Sequence, residues 1–216
     1  METFEQELKS PERRILARLT TPGRIQGFLD ECAYSIDEAN HCPLFVLRRR
    51  AANCFDGAVF AAAALHRLGY PPLILDMLAN NRDDDHILAL YKRGGHWGAL
   101  AKSNFTGLRF REPVYRTLRE LVMSYFEQYY NTAREKTLRG YTRPLNLRTL
   151  DALQWMTDEK AMERIEDRLV RMPQKKLLTR AMIAGLFPVD ERTRRAGLLD
   201  ANTAGLYKPQ HKPKNR

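Results

Sequence analysis

The sequence predicts an α+β fold, and three patterns carry that prediction. Gly57 to Leu65 is an apolar run with four consecutive alanines. A helix with no polar face has to be buried on every side. Three short apolar stretches follow, Pro72 to Leu78, His86 to Lys92 and Trp97 to Ser103, and read as strands. Arg93-Gly94-Gly95-His96 joins the last two, and a Gly-Gly pair suits a two-residue hairpin. Leu118, Leu121, Val122, Tyr125, Phe126 and Tyr129 then recur at helical spacing behind a Thr117–Glu120 capping box.

The elements follow in chain order. Ser10-Pro11-Glu12 and Thr21-Pro22-Gly23 each place a hydroxyl before a proline, a pattern that opens helices. Ile25, Phe28 and Leu29 fall on one face of the second. Asn53 is a good N-cap for the apolar helix, and Asp56 stands three residues on. His66 and Arg67 suit its C-terminal dipole, and Gly69-Tyr70-Pro71-Pro72 stops it. Asn80 to Asp85 is a polar loop. Beyond Thr137 an extended piece, Tyr141 to Leu147, precedes helices opening near Thr157, Thr179 and Asp190. The expected organisation is a core over residues 1–135, a helical annex over 136–207 and a loose basic tail over 208–216.

Composition narrows the function classes. With 216 residues, 44% of them hydrophobic, the chain can bury a sizeable core. The longest apolar run is too short to cross a bilayer, and the N-terminus lacks the pattern of a secretory signal. A cytoplasmic chain with reduced thiols and no membrane partner is expected. The formal charge of +10 arises from 36 basic residues dispersed among 26 acidic ones. That dispersion argues against nucleic acid as the specific partner, whose mark would be affinity falling steeply with salt. Cys32, His41 and Cys42 lack the paired spacing of a zinc site, so no metal is expected. No organic cofactor is expected either.

The chemistry centres on Cys54, the first residue after the Asn53 cap. A thiol in the first turn of a helix feels the positive end of the dipole, which favours thiolate. The adjacent amides suit an oxyanion. Asp56 opposes thiolate formation. His86, thirty-two residues on, opens a strand and can serve as base and later as acid. The plainer reading is a small buried cysteine and a hydrogen-bonded histidine. Asp83-Asp84-Asp85 reads as a solvated turn rather than a metal site, and Arg109, Arg111 and Arg116 either steer an acidic substrate or lie on a solvated surface.

The run Asn53-Cys-Phe-Asp-Gly-Ala-Val-Phe-Ala-Ala-Ala-Ala-Leu-His-Arg-Leu-Gly-Tyr-Pro71, followed by Asp84-Asp85-His86 on a strand, resembles the transglutaminase-like superfamily. The likeness covers roughly residues 45–105. The pattern through Lys102-Ser-Asn104, Leu108 to Val114 and Arg119 to Phe126 resembles an uncharacterised bacterial branch of it. The resemblance implies a papain-like core, a cysteine-bearing helix packed on an antiparallel sheet, with Cys54 as nucleophile and His86 as base and acid. It also implies an acidic third member near position 101, where this chain has alanine. Ser103 and Asn104 are the nearby candidates. A Gly94-Gly95 turn pairs residues whose numbers sum to 189, so His86 faces Ser103 and Asn104 points away unless the strand ends or bulges. Asn104 is favoured because an amide oxygen is the better acceptor for an imidazole N–H. The implied activity is thiol-dependent hydrolysis or acyl transfer at an amide or related acyl bond, on a peptide or protein. The alternative is a catalytically inactive member that binds a peptide or protein in the same cleft.

Overall fold

A computed structural model describes residues 2–208. The N-terminal third is helical: α1 (Glu2–Glu7), α2 (Ser10–Arg18) and α3 (Pro22–Glu31), then the two-residue β1 (Ala33–Tyr34) and α4 (Pro43–Arg49). Thr21 caps α3, accepting from the Arg24 N–H at 3.2 Å. Ser10 is instead the first residue of α2, with Lys9 at the cap position. The short β2 (Ala51–Ala52) pairs in parallel with β1 and leads into α5 (Cys54–Arg67).

Helix α5 is the buried axis of the molecule. Every residue from Phe55 to Leu65 is buried, as the wholly apolar run from Gly57 onward demands. Asn53 Oδ1 accepts from the Asp56 N–H at 2.9 Å, and Asp56 accepts in return from the Asn53 N–H. Gly69, at φ +88°, turns the chain out at the other end.

The main sheet is antiparallel throughout. Its strands are β3 (Leu73–Ala79), β4 (His86–Arg93), β5 (His96–Leu100) and β6 (Arg111–Tyr115). After α6 (Leu118–Met123) come β7 (Leu138–Thr142), the short β8 (Leu145–Asn146), α7 (Lys160–Val170) and β9 (Gln174–Lys176). Spatial order is β6-β5-β4-β3-β7-β9, with β8 pairing the start of β3. The short α8 (Arg180–Ala184) and α9 (Glu191–Gly197) follow, capped by Thr179 and Asp190 as their sequences suggest. The fold is α+β, with a cysteine-bearing helix laid on an antiparallel sheet.

Alternation along the strands sorts the core into two layers. Ile74, Ile87, Ala89 and Tyr91 face α5 and the helices around it. Leu75, Met77, Leu88, Leu90 and Ala99 face Leu121, Val122, Tyr125 and Tyr129. The aromatic stripe is therefore core, but its helix is not continuous. After Met123 the chain tightens into a 3-10 turn at Phe126–Gln128. Ser124 Oγ donates to the Leu121 carbonyl at 2.6 Å, a local bond that competes with the helical ladder.

One expectation needs correction. The segment beyond residue 136 is not a helical annex apart from the core, because β7 and β9 extend the central sheet on the far side of β3. The basic tail lies outside the described residues except for Lys208. No helix among the described residues is long and apolar enough to cross a membrane.

Helix α5 comes very close to the chain just beyond β5 at Gly57. A Cβ there would lie 2.4 Å from the Lys102 Cβ and 3.4 Å from the Lys102 nitrogen. Lys102 cannot withdraw, because its buried ammonium donates to the Leu29 and Cys32 carbonyls at the C-terminal end of α3. That is where a cation complements the helix dipole. Gly57→Ala is expected to destabilise the protein by about 2 kcal/mol through overpacking, seen as a lower urea midpoint at unchanged slope.

Candidate active site

The hairpin register expected from Gly94-Gly95 is the one observed. Both glycines have positive φ, and pairs run from Arg93–His96 to Ala89–Leu100. Pairing then stops, for a reason that lies far away in the chain. Gln26 of α3 donates through Nε2 to the Ala101 carbonyl at 3.0 Å and accepts from the Ala101 N–H at 3.1 Å. With both main-chain groups of Ala101 satisfied by a side chain, the strand leaves β4, and the first residues of β4 lack a β5 neighbour.

The Cys54 sulfur lies against these first residues of β4. It sits 4.0 Å from the Asp85 carbonyl and accepts from the Ile87 N–H, so it lies against the main chain on both sides of His86. Cys54 and His86 line one cavity of about 430 Å³ together with Tyr34, Asp76, Ser103 and Asn104. The four residues named from the sequence thus border one space.

Their bonding differs from the expectation. His86 is buried, and its Nε2 lies 2.8 Å from the Leu108 carbonyl. A carbonyl only accepts, so this partner assigns the hydrogen to Nε2 and leaves Nδ1 as the acceptor of the neutral ring. Tyr129 meets the ring edge-on at 6.5 Å and donates to the Asp84 carbonyl at 2.8 Å. The loop carrying Leu108 is itself pinned, since Tyr125 donates to the Arg109 carbonyl and Arg111 to the Gly107 carbonyl. Arg111 also stacks over the Tyr125 ring at 3.8 Å, and Arg109 pairs with Asp30 at 3.2 Å, so both arginines have structural partners.

Asn104 does not reach the imidazole. Its amide exchanges two hydrogen bonds with the main chain of Asn202, at 3.0 and 2.9 Å. Ser103 Oγ accepts from the Phe105 N–H at 3.0 Å. The group oriented on His86 is a main-chain carbonyl, which no side-chain motif announces. Asp76 also escaped the sequence reading, although an acid inside the apolar run Leu73 to Ala79 was a visible signal. It is buried on β3 opposite Ile87 and borders the cavity.

Electrostatics favour neutral forms of both central groups. Cys54 is only half-buried by surface area, yet loss of solvation at its thiol pushes it up to about 12, and Asp76, Asp84 and Asp56 add to the shift while the Ile87 N–H opposes it. The opposition from Asp56 is real but ranks behind Asp76 and Asp84. Burial also lowers His86 to about 4, against the opposing bond to Leu108. Asp83, raised to about 6 by burial, accepts from the Thr137 hydroxyl, and Asp85 accepts from the Ala79 N–H at 2.8 Å. The acidic loop is therefore tied into the fold rather than freely solvated.

No protein-family model matches the chain, and no curated protein does. Among solved structures, LapG of Legionella pneumophila is similar with a TM-score of 0.43 and 12% identity. The match covers 74% of this chain and 96% of LapG. The EGTA-treated form of LapG gives a TM-score of 0.40 at 12% identity, over 76% and 96% of the two chains. Both are distant likenesses of outline.

Asp56 ties the site to its surroundings. Fully buried, it accepts from the His41 N–H at 2.6 Å as well as from Asn53. Asp56→Ala removes a cap and leaves a main-chain donor unmatched, and is expected to cost about 3 kcal/mol in urea unfolding.

Proposed function

We propose that the protein is a thiol-dependent enzyme that hydrolyses or transfers an acyl group at an amide or related bond of a peptide or protein. The observation that carries this reading is the shared cavity of Cys54 and His86, with the imidazole held through Nε2 on the Leu108 carbonyl. In that tautomer Nδ1 is the basic nitrogen, which suits removal of the thiol proton during attack. The sulfur would form a bond to the acyl carbon, the imidazole would return its proton to the leaving amine, and water or an amine would then release the acyl group. The amides at the start of α5 are the natural donors to the developing oxyanion. Leu108 replaces Asn104 as the orienting group of this proposal.

One observation favours the second reading, a binding protein without turnover. A thiol raised to about 12 and an imidazole lowered to about 4, lining one cavity, are not a preformed thiolate–imidazolium pair. Acylation by p-nitrophenyl acetate, located by mass spectrometry, separates the two. An enzyme acetylates at Cys54 at least about a hundredfold faster than at Cys32 or Cys42 and then deacylates. His86→Ala should slow acylation by about 10²- to 10⁴-fold, the usual scale of a lost general base. Equal acetylation of the three thiols, indifferent to His86→Ala, would leave the binding reading.

A further inference from the structure

Beyond α9 the chain returns to the rim of the Cys54 cavity. Asn202 opens one 3-10 turn, Thr203–Gly205, its Oδ1 accepting from the Ala204 N–H. Gly205, Leu206 and Tyr207 then border the same space as Cys54 and His86.

The contacts that hold this segment are of a particular kind. Asn104 Nδ2 donates to the Asn202 carbonyl at 3.0 Å, and the Asn202 N–H donates back to Asn104 Oδ1 at 2.9 Å. One side-chain amide thus reads both main-chain groups of a single residue, as a neighbouring strand would. Asn202 Nδ2 donates to the Tyr34 carbonyl at 3.3 Å, and the Thr132 hydroxyl donates to the Tyr207 carbonyl at 3.4 Å. Three residues after Asn202, Gly205 rests on the Tyr34 ring. A Cβ there would come within 2.8 Å of ring carbons and 3.1 Å of Asn104 Nδ2. Asn202, Thr203 and Ala204 are exposed. The segment is held mainly by main-chain hydrogen bonds and one glycine-sized gap, with its central side chains in solvent.

These are the features of a docked peptide rather than of a core element. We propose that Asn104 and Tyr34 form a peptide-binding subsite beside Cys54, and that Asn202–Tyr207 fills it as a displaceable ligand supplied by the chain itself. The ligand class is a peptide whose main chain is read by Asn104 and which carries glycine three residues later. Attachment in cis gives the segment an effective concentration on the order of millimolar, so the filled state is the resting one. A peptide arriving from outside must outcompete it. The subsite stands whether or not Cys54 turns over, because it requires access and not chemistry.

The test uses the full-length protein with two substitutions in the exposed segment. Asn202→Pro fits the observed φ of −71° but removes the N–H that Asn104 accepts, together with the side-chain bond to Tyr34. Gly205→Val forces branched carbons against the Tyr34 ring. Hydrogen exchange over residues 202–207 reports release, and iodoacetamide labelling of Cys54 reports access. Both should rise at least about tenfold in either variant. Adding the free peptide of residues 199–208 at millimolar concentration (about the effective concentration in cis) should return labelling close to the wild-type rate. The same peptide with valine in place of its glycine should not. Unchanged exchange in both variants would show that these anchors do not hold the segment. Increased exchange with unchanged labelling would show that it does not cover the site, and a peptide that fails to compete would remove the subsite. Each of those results overturns the proposal. None depends on acyl transfer, so failure of the enzyme reading is separately visible in the p-nitrophenyl acetate experiment.

Discussion

At pH 8, iodoacetamide should label Cys54 in the folded protein at least about a thousandfold more slowly than in the urea-unfolded chain. The thiolate is the reacting species, and burial among carboxylates pushes this thiol up to about 12. At pH 8 such a group is about one part in 10⁴ ionised, whereas an unfolded cysteine near 8.5 is about one quarter ionised. Site-resolved mass spectrometry of timed labelling reads the ratio directly. A folded rate within tenfold of the unfolded one would mean that the Cys54 thiol ionises nearly as easily in the fold as outside it, and the raised thiol described above would be wrong. The same shift has a stability consequence of definite sign. The folded state keeps the proton that the unfolded state releases above about pH 8.5. Stability is therefore lost as pH rises from there towards 12, by about 1.4 kcal/mol per pH unit for each such thiol. Cys42, also raised to about 12 by burial, contributes in the same direction. Cys54→Ala should flatten part of the alkaline decline in melting temperature.

On the acid side the largest single effect is expected from His86. Burial lowers its pKa to about 4, so folding favours the neutral ring. An unfolded histidine protonates near 6.5, which means this contribution is complete above that pH and disappears as pH falls towards 4. The difference is worth about 3 kcal/mol. Asp56 and Asp83 act oppositely, because each is raised to about 6 by burial and the folded state binds their protons first. The total curve therefore mixes signs, and the comparison must isolate the imidazole. His86→Gln keeps an N–H donor for the Leu108 carbonyl but does not titrate. Urea unfolding at pH 7, 6, 5 and 4 should show the Gln variant gaining about 3 kcal/mol relative to wild type across the series. Parallel curves for the two proteins would mean that the imidazole is as easily protonated in the fold as outside it.

How much of this was legible beforehand depends on the range of each interaction. Thr21, Asn53, Thr117, Thr179 and Asp190 all cap the helices their local sequences announce. The hairpin register followed from two glycines able to adopt positive φ. Cys54 and His86 stand at a helix start and a strand start, positions that the local sequence predicts. Asn104 was misread as a partner of the imidazole. From sequence alone nothing connects it with Asn202, ninety-eight residues away, where its amide makes two hydrogen bonds, while His86 bonds to the Leu108 carbonyl instead. The end of β5 was also invisible, since Gln26 acts on Ala101 across seventy-five residues.

By itself the sequence determined the buried α5, the β4–β5 hairpin and the helix caps. These depend on apolar periodicity, on glycine and proline dihedral limits and on side chains bonding to their own neighbouring backbone. Only the tertiary structure decided that β7 and β9 complete the sheet, that β5 leaves β4 after Leu100 and that Asn202–Tyr207 returns to the cavity. It also decided that a main-chain carbonyl, Leu108, holds the imidazole. Every residue carries such a carbonyl, so its identity gives no sign of use. Where the chain folds back to place it is set by long-range packing.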